Sequence, residues 1–256
     1  KYDKEFLMKN ILCQTRPTEW LIEAVQLVPR FERYVCVYAA LNGHIEVIQW
    51  DHENDWDLDD RLEDYSYCHY EQQFEICSYA ALGGHLEVLQ WARANGCFWD
   101  EWTCTRAAQG DHLEVLKWAR ANGCYWDKKC SNAAKNGHLE VLKWALENGC
   151  RRDKEVCSNA ASGGHLEVLK LARANGCPWD EQVCKNAANG GHLEVLKWAR
   201  ANGCPWDKRV CWNAILSGYI EVLEWVRKNG CLLDNQVYHD AAWENLDVFK
   251  FLSRLE

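Results

Sequence analysis

The stretch Gly191-His192-Leu193-Glu194-Val195-Leu196 decides how this 256-residue chain folds, because the phrase recurs along most of its length. Its histidine stands at five positions separated by 27, 26, 27 and 27 residues, namely His85, His112, His138, His165 and His192. Weaker copies begin at Gly43 and Gly218, and a last trace, Leu246 to Phe249, has lost the Gly-His pair. A fixed period of this length is typical of repeat proteins, in which each copy is one small structural unit.

Two short helices are predicted within one unit, such as Thr103 to Asp127. A face of small residues recurs at helical spacing at Cys104, Ala107 and Ala108. A second apolar face follows at Leu113, Leu116, Trp118 and Ala119. Helices this short are marginal in isolation, so each unit must bury its faces against its neighbours. The pattern therefore predicts an all-α fold, an α-solenoid of stacked helix-turn-helix repeats.

The ends of the array are predicted to be atypical, because a terminal unit of a solenoid has a neighbour on one side only. We expect one solenoid over residues 1–256, with an N-terminal capping unit at 1–33 and a first full repeat at 34–59. Further repeats are expected over 75–234, and a C-terminal capping repeat over 235–256. Residues 60–74 form an acidic and aromatic insertion, which we expect to be a loop on one face.

The sequence from Ala107-Ala108 through His112-Leu113-Glu114-Val115 to Gly123-Cys124 resembles the core of an ankyrin repeat, with Asp111 in place of the glycine before the histidine. The resemblance covers about residues 17 to 252. It implies ankyrin-like repeats that lack long β-hairpin fingers, because the residues missing from this shorter unit fall in the finger segment. Units with the Gly176-to-Asp180 ending look like the ankyrin-like proteins of giant amoebal viruses and of some oomycetes and algae.

Composition and charge exclude several classes of partner. The formal net charge is −9, and eight acids against Arg61 between Asp51 and Asp64 account for most of it. A phosphate-binding face needs a basic stripe, and none is visible, so we expect no nucleic-acid partner. No apolar run approaches the roughly 18 residues of a membrane span, so we expect no membrane association. Without a visible export signal, we expect a cytoplasmic or nuclear protein, in the host cell if viral, whose fifteen cysteines are reduced.

The repeated histidines and cysteines could be mistaken for metal ligands. Each histidine begins a helix, so we expect its ring to satisfy a local backbone group. Neighbouring cysteines are six or seven residues apart, unlike the close pairs of zinc sites, so we expect buried free thiols and no metal. One set follows the second helix, at Cys97, Cys124, Cys150, Cys177, Cys204 and Cys231. The other lies on the first helix, at Cys104, Cys130, Cys157, Cys184 and Cys211.

Two tryptophan ladders could offer nucleobases a stacking platform, but burying one indole removes about 150 to 250 Å² of surface from water. We therefore expect core positions at Trp50, Trp91, Trp118, Trp144, Trp198 and Trp225, and at Trp99, Trp126, Trp179 and Trp206. Arg152 and Leu171 replace tryptophan in one copy each. This replacement predicts weaker packing between residues 150 and 175.

No catalytic or cofactor motif is present. The sequence has no glycine-rich phosphate loop, no zinc-protease helix motif and no nucleophile elbow, so we expect no enzyme, no catalytic residue and no cofactor. A calcium loop in the acidic stretch fits poorly, because Trp56 stands where glycine is required and Leu62 where a bidentate glutamate belongs. We expect a solvated negative loop instead.

Positions that differ between repeats are the expected recognition surface, because constant positions build the core. We expect a monomeric protein-protein interaction scaffold or adaptor whose partner is a protein, such as a host factor. The candidate partner-binding residues are Tyr38, Leu41, Tyr79, Leu82, Arg106, Gln109, Asn132, Lys135, Asn159, Asn186 and Trp243. The first four would form an aromatic and apolar patch of the kind that binding hot spots favour.

Three alternatives stay open from the residues. The asparagine run is alternatively a structural ladder of hydrogen bonds. The whole chain is alternatively an architectural or self-associating element without a specific partner. Resemblance to the viral proteins, whose repeats often follow an F-box, implies a substrate-recognition role in a ubiquitin-ligase adaptor, although no F-box is legible in this sequence.

Overall fold

The computed structural model describes residues 32–53, 66–126 and 130–231, together with Lys250. Most of both predicted capping units and of the acidic stretch, as well as the candidate residue Trp243, lies outside these residues. The described part of the chain contains helices and turns, with no strand.

Fourteen helices lie within the described residues, and they alternate between the first and second helix of a repeat. Those before residue 127 are α1 (Glu32–Asn42), α2 (Ile45–Glu53), α3 (Ser66–Gly83), α4 (Leu86–Ala94), α5 (Glu101–Gln109) and α6 (Leu113–Ala121). Those after it are α7 (Ser131–Asn136), α8 (Leu139–Glu147), α9 (Lys154–Ser162), α10 (Leu166–Ala174), α11 (Glu181–Asn189), α12 (Leu193–Ala201), α13 (Arg209–Leu216) and α14 (Ile220–Lys228).

The helices form two compact units, unit 1 over Lys1–Asp127 and unit 2 over Lys128–Glu256. In unit 1 the first helices α1, α3 and α5 pack side by side in sequence order. In unit 2 the first helices α7, α9, α11 and α13 do the same, and the second helices α8, α10 and α12 follow with looser contact. The predicted all-α solenoid of stacked repeats is therefore confirmed.

Small residues on the first helices allow this close packing. In α11, Cys184, Ala187 and Ala188 are fully buried, and equivalent cysteines and alanines are buried throughout the described repeats. The second helix contributes larger buried side chains, such as Val195 and Leu196 of α12. Because the spacing of two helices follows the size of the side chains between them, alanine and cysteine bring successive first helices close together.

Polar residues at the loop ends start and stop the helices. Asp100, Asp153 and Asp180 each accept a backbone N–H of the helix that follows, which is the arrangement of an N-cap. At the end of α10, Asn175 donates to the Leu171 carbonyl, and Gly176 takes a left-handed conformation with φ of +80°. Asp100 and Asp180 follow a tryptophan and Asp153 follows Arg152, and all three are helix-capping residues, a role that our sequence interpretation missed.

Part of the insertion is helical. Helix α3 spans 18 residues, about twice the length of the other first helices, and includes 66–74. The prediction of a loop is wrong for these residues. The segment contains no glycine or proline, so nothing in its composition stops the helix from extending towards its N-terminus.

Candidate interaction face

Variable positions of the first helices come together in unit 1. Because α1 packs against α3 and α3 against α5, equivalent positions on these helices are neighbours. We call the following six residues the unit 1 face: Tyr38, Tyr79, Arg106, Leu41, Leu82 and Gln109. The first five are half-buried and Gln109 is exposed. All six were candidate binding residues from the sequence.

The centre of the unit 1 face is a cation-π contact. The Arg106 guanidinium carbon lies 4.1 Å from the centroid of the Tyr79 ring. The Nε atom of Arg106 is buried and has no hydrogen-bond partner within the described residues. The aromatic ring therefore holds the arginine in place, and a cation is presented among apolar neighbours.

The same positions in unit 2 are used differently. Asn159 donates a hydrogen bond of 3.2 Å to the Ser131 carbonyl, and Asn186 donates one of 3.1 Å to the Ser158 carbonyl. Each carbonyl belongs to the first helix of the preceding repeat. These amides thus support the structural alternative, an asparagine ladder that ties repeats together. The other candidates in this unit are Asn132, which is half-buried, and Lys135, which is exposed.

The histidines join repeats rather than capping their own helices. The His85 Nε2 donates to the Leu41 carbonyl at 3.0 Å, and the His192 Nε2 donates to the Ser162 carbonyl at 3.1 Å. Both acceptors lie in the last turn of the first helix of the preceding repeat. The structural role is therefore confirmed, but the expected local partner is wrong. Burial lowers the pKa of His85, which favours the neutral ring.

Glycine leaves the space that the His85 and His192 rings occupy. A Cβ on Gly43 would lie 2.5 Å from the His85 ring, and one on Gly164 would lie 2.6 Å from the His192 ring. Both glycines also have positive φ. The Gly-His pair is therefore a joint in which a histidine occupies the space left by the glycine of the previous repeat, and Tyr219 packs over Gly191 in the same way.

The cysteines are not all thiols. Cys130 is bonded to Cys150, and Cys211 to Cys231, so the expectation of free thiols is wrong for these four residues. The fold brings a first-helix cysteine close to the cysteine that follows the second helix of the same repeat, with Cα atoms 6.3 and 6.6 Å apart. Our prediction considered only cysteines close in sequence. Within the described residues no three potential ligands are grouped as a metal site.

The tryptophans are mostly half-buried, which corrects the prediction that they form the core. Trp126 is buried, whereas the other described members of both ladders keep part of their surface in solvent. Trp179, in the turn after α10, meets Trp198 of α12 edge to face at 5.9 Å, and Arg173 lies over Trp179 at 4.2 Å. The same triad forms at Arg93, Trp99 and Trp118, and at Arg200, Trp206 and Trp225.

The triads lie beside the second helices, which are less closely packed against each other than the first helices are. The indoles therefore pack against the side of the next repeat instead of entering the core. A guanidinium already covers one face of Trp179, and a second indole contacts the ring edge to face. One repeat lacks the triad altogether, because Leu146, Arg152 and Leu171 replace its three members. In that repeat Leu146 is buried. Arg152, which stands in place of the tryptophan, donates a hydrogen bond to the Leu146 carbonyl.

Three exposed aromatic residues of unit 1 were missed by sequence reasoning. The exposed fractions are 43% for Phe98, 55% for Trp102 and 67% for Tyr125. A signal was present, since Phe98 and Tyr125 occupy one repeat position, where unit 2 has Arg151, Pro178 and Pro205. Unit 1 thus exposes more aromatic surface at this position than unit 2 does.

Comparisons with known proteins support the fold. The sequence matches no protein-family model and no curated protein. By structure the chain is similar to the crystal structure of the human ASB11 ankyrin repeat domain, with a TM-score of 0.51 and 18% sequence identity. The match covers 62% of this chain and 85% of that chain. Among the described residues, no helix combines the length and apolarity of a membrane span. The fold is therefore that of an ankyrin-like repeat array.

Proposed function

We propose that this protein is an interaction scaffold that binds a protein partner through the unit 1 face. The observation that carries the proposal is the difference between the two units at one repeat position. In unit 2, Asn159 and Asn186 donate at this position to a backbone carbonyl of the preceding repeat. In unit 1, Tyr79 and Arg106 meet across the same boundary by stacking and leave a half-exposed aromatic and cationic surface. This surface is the part of the position that is available for recognition.

The chemistry of the unit 1 face suggests the kind of partner. Tyrosine and arginine dominate the binding energy of many protein interfaces, because each combines a large contact area with hydrogen bonding. Leu41 and Leu82, both half-buried, add apolar surface to the unit 1 face. We expect a partner segment that places an apolar side chain against the tyrosines and leucines, and a carboxylate near the Arg106 guanidinium.

Site-directed photocrosslinking tests the proposal. A photoreactive amino acid at Gln109 should capture a defined protein from an extract of the natural cells, and excess unlabelled chain should compete. Arg106→Ala in the same chain should abolish capture, because it removes the cation at the centre of the unit 1 face. The matched control carries the probe at Lys135, the equivalent exposed position of unit 2. Equal capture from both positions would contradict the assignment.

A self-associating element is the alternative function, and the exposed Phe98, Trp102 and Tyr125 favour it. Light scattering over a wide concentration range separates the two. A constant monomer mass is expected for the scaffold. A mass that grows with concentration and returns to the monomer value in a Tyr125→Ser and Phe98→Ser variant would instead support self-association.

The finer form of the proposal is a non-enzymatic adaptor in the cytoplasm or nucleus, with a host-cell factor as partner if the protein is viral. It rests on the resemblance of the short repeats to those of giant amoebal viruses. Identifying the captured protein tests it directly, because a component or substrate of a ubiquitin ligase is the outcome that supports the adaptor role.

A further inference from the structure

We propose that the described repeats from α3/α4 to α13/α14 each carry a pair of cysteines that can close to a disulfide within the repeat. The chain then holds a ladder of six redox-active rungs, of which two are closed. The closed rungs are Cys130–Cys150 and Cys211–Cys231. The open rungs are Cys77/Cys97, Cys104/Cys124, Cys157/Cys177 and Cys184/Cys204.

Repeat geometry is the first argument. In every rung the cysteines are 20 residues apart, one on the first helix or, for Cys130, directly before it, and one after the second helix. The Cα separations of 6.3 and 6.6 Å in the closed rungs lie within the range that a disulfide spans, about 4.4 to 6.8 Å. One backbone bond places the second cysteine in open and closed rungs alike: Cys124 N–H to Ala119 and Cys150 N–H to Ala145, each 2.9 Å.

The placement of the thiols in the open rungs is the second argument. The Cys124 thiol donates to the Asp100 carbonyl at 3.3 Å, and the Cys204 thiol donates to the Asp180 carbonyl at 3.4 Å. Each acceptor caps the first helix of the same repeat, one turn before the other cysteine of the rung. The Cys157 thiol points at the Cys177 carbonyl, 3.7 Å away. Cys36, in the first described repeat, has Trp56 rather than cysteine 20 positions on. The ladder therefore starts at Cys77.

The environment of the thiols sets their order of reaction. The first-helix thiol beside them stabilises the thiolates of Cys124 and Cys204 and so lowers their pKa, while the pKa of Cys104 and Cys184 is raised. The thiolate is the nucleophile, so the cysteine after the second helix attacks first. Burial raises the pKa of Cys77 to about 12. Its partner Cys97 is half-exposed, whereas the other free cysteines among the described residues are buried. A small-molecule disulfide therefore reaches this rung more easily than the others.

Closure needs a small-molecule disulfide such as oxidised glutathione. The thiolate attacks one sulfur of the reagent, the reagent's S–S bond breaks, and one reduced glutathione leaves. The first-helix cysteine then loses its proton and attacks the protein sulfur of the mixed disulfide, which releases the second glutathione. The protein loses two thiol protons and two electrons, and the reagent gains both. Each closed rung links a first helix to the turn after its second helix and restricts the unfolded chain.

Peptide mapping of the full chain tests the ladder. The protein is reduced with dithiothreitol, freed of reductant, incubated with oxidised glutathione, alkylated, digested and analysed by mass spectrometry. We expect cross-linked peptides that join each cysteine to the one 20 residues away, with two reduced glutathiones released per rung. Links between different repeats, stable glutathione adducts at most positions, or uniformly alkylated thiols would each overturn the proposal.

A matched variant measures the effect on stability. Oxidation should raise the thermal midpoint of the natural chain by several degrees, because cross-links destabilise the unfolded state. Cys184→Ser should lose the Cys184/Cys204 link and a share of that rise, while the Cys104/Cys124 link still forms. An unchanged midpoint after oxidation, with all rungs mapped as closed, would contradict the stabilising role. If the variant does not fold, the map of the natural chain still decides the pairing.

Discussion

The first helices of the two units use one repeat position in opposite ways. In unit 2, Asn159 and Asn186 each reach a carbonyl of the preceding repeat. In unit 1 that position holds Tyr38, Tyr79 and Arg106, and the last two stack on each other. The difference teaches that successive repeats can be joined at this position by different chemistry, an amide hydrogen bond to the backbone in unit 2 and a cation-π stack in unit 1. Under the proposed function, the position stabilises the stack in unit 2 and also recognises a partner in unit 1.

The largest expected effect tests the joint that both units share. Gly84→Ala and Gly164→Ala should each lower the free energy of unfolding by about 3 kcal/mol or more, because alanine disfavours positive φ and its Cβ would overlap a ring. That Cβ would lie 2.4 Å from His112 at Gly84 and 2.6 Å from His192 at Gly164. Urea denaturation measures both.

Gly176→Ala is the matched control for these variants. Its φ is +80°, but a Cβ there meets no atom within 4 Å. We expect a loss of about 1 to 2 kcal/mol, from backbone strain alone. If all three variants lost the same free energy, the histidine would not be the reason for glycine at the joint.

The next prediction tests the contrast between the units. Asn159→Ala with Asn186→Ala should cost about 2 kcal/mol, roughly 1 for each lost hydrogen bond. Lys135→Ala, which changes an exposed side chain on a first helix of the same unit, should change the free energy of unfolding by less than about 0.5 kcal/mol. In unit 1, Arg106→Met should cost less than about 1 kcal/mol. It loses the stacking on Tyr79, but it also removes a buried N–H that finds no hydrogen-bond partner in the described part of the chain. A larger loss for Arg106→Met than for the asparagine pair would reverse the comparison.

A smaller effect is expected for the arginines of the second helices, which make the same contacts in both units. Arg93→Met in unit 1 and Arg200→Met in unit 2 should each cost about 1 to 2 kcal/mol. Each arginine stacks on an indole and donates to the carbonyl of the following cysteine. Lys197→Met removes only an exposed ion pair to Glu194 and serves as control. Thermal melts of the variants should show equal shifts for both arginines, and unequal shifts would show that the units also differ here.

The smallest effect is a pH dependence at His85. Because burial lowers its pKa in the folded state, the folded chain binds fewer protons than the unfolded one below about pH 6.5. The contribution of the neutral ring is present above that pH and is lost as the pH falls. The urea concentration at the unfolding midpoint should therefore decrease when the pH is lowered from 7.5 to 5.5. His85→Gln should have a lower midpoint at pH 7.5 and a smaller decrease. A fall of the same size in the variant would assign the pH dependence to other groups.

The described fold was largely predictable from the sequence, because its signals are local. The recurring histidine phrase located each second helix, the Cys-x-x-Ala-Ala pattern located the first, and the Asn-Gly pairs marked the ends. Unit 1 residues such as Tyr79 and Leu82 were also found by comparing copies. Such inferences need only the spacing along a helix and the repeat period, and both can be read from one chain.

Contacts between turns and between repeats were decided by the tertiary structure. Cys130 bonds a residue 20 positions away, Asn186 reaches a carbonyl 28 positions away, and His85 reaches one 44 positions away across the insertion. Trp179 and Trp198 meet at the outer edge of a repeat and not in the core. The physical reason is that the sequence period determines which positions are equivalent, whereas the rise and rotation between stacked helices determine which of them touch.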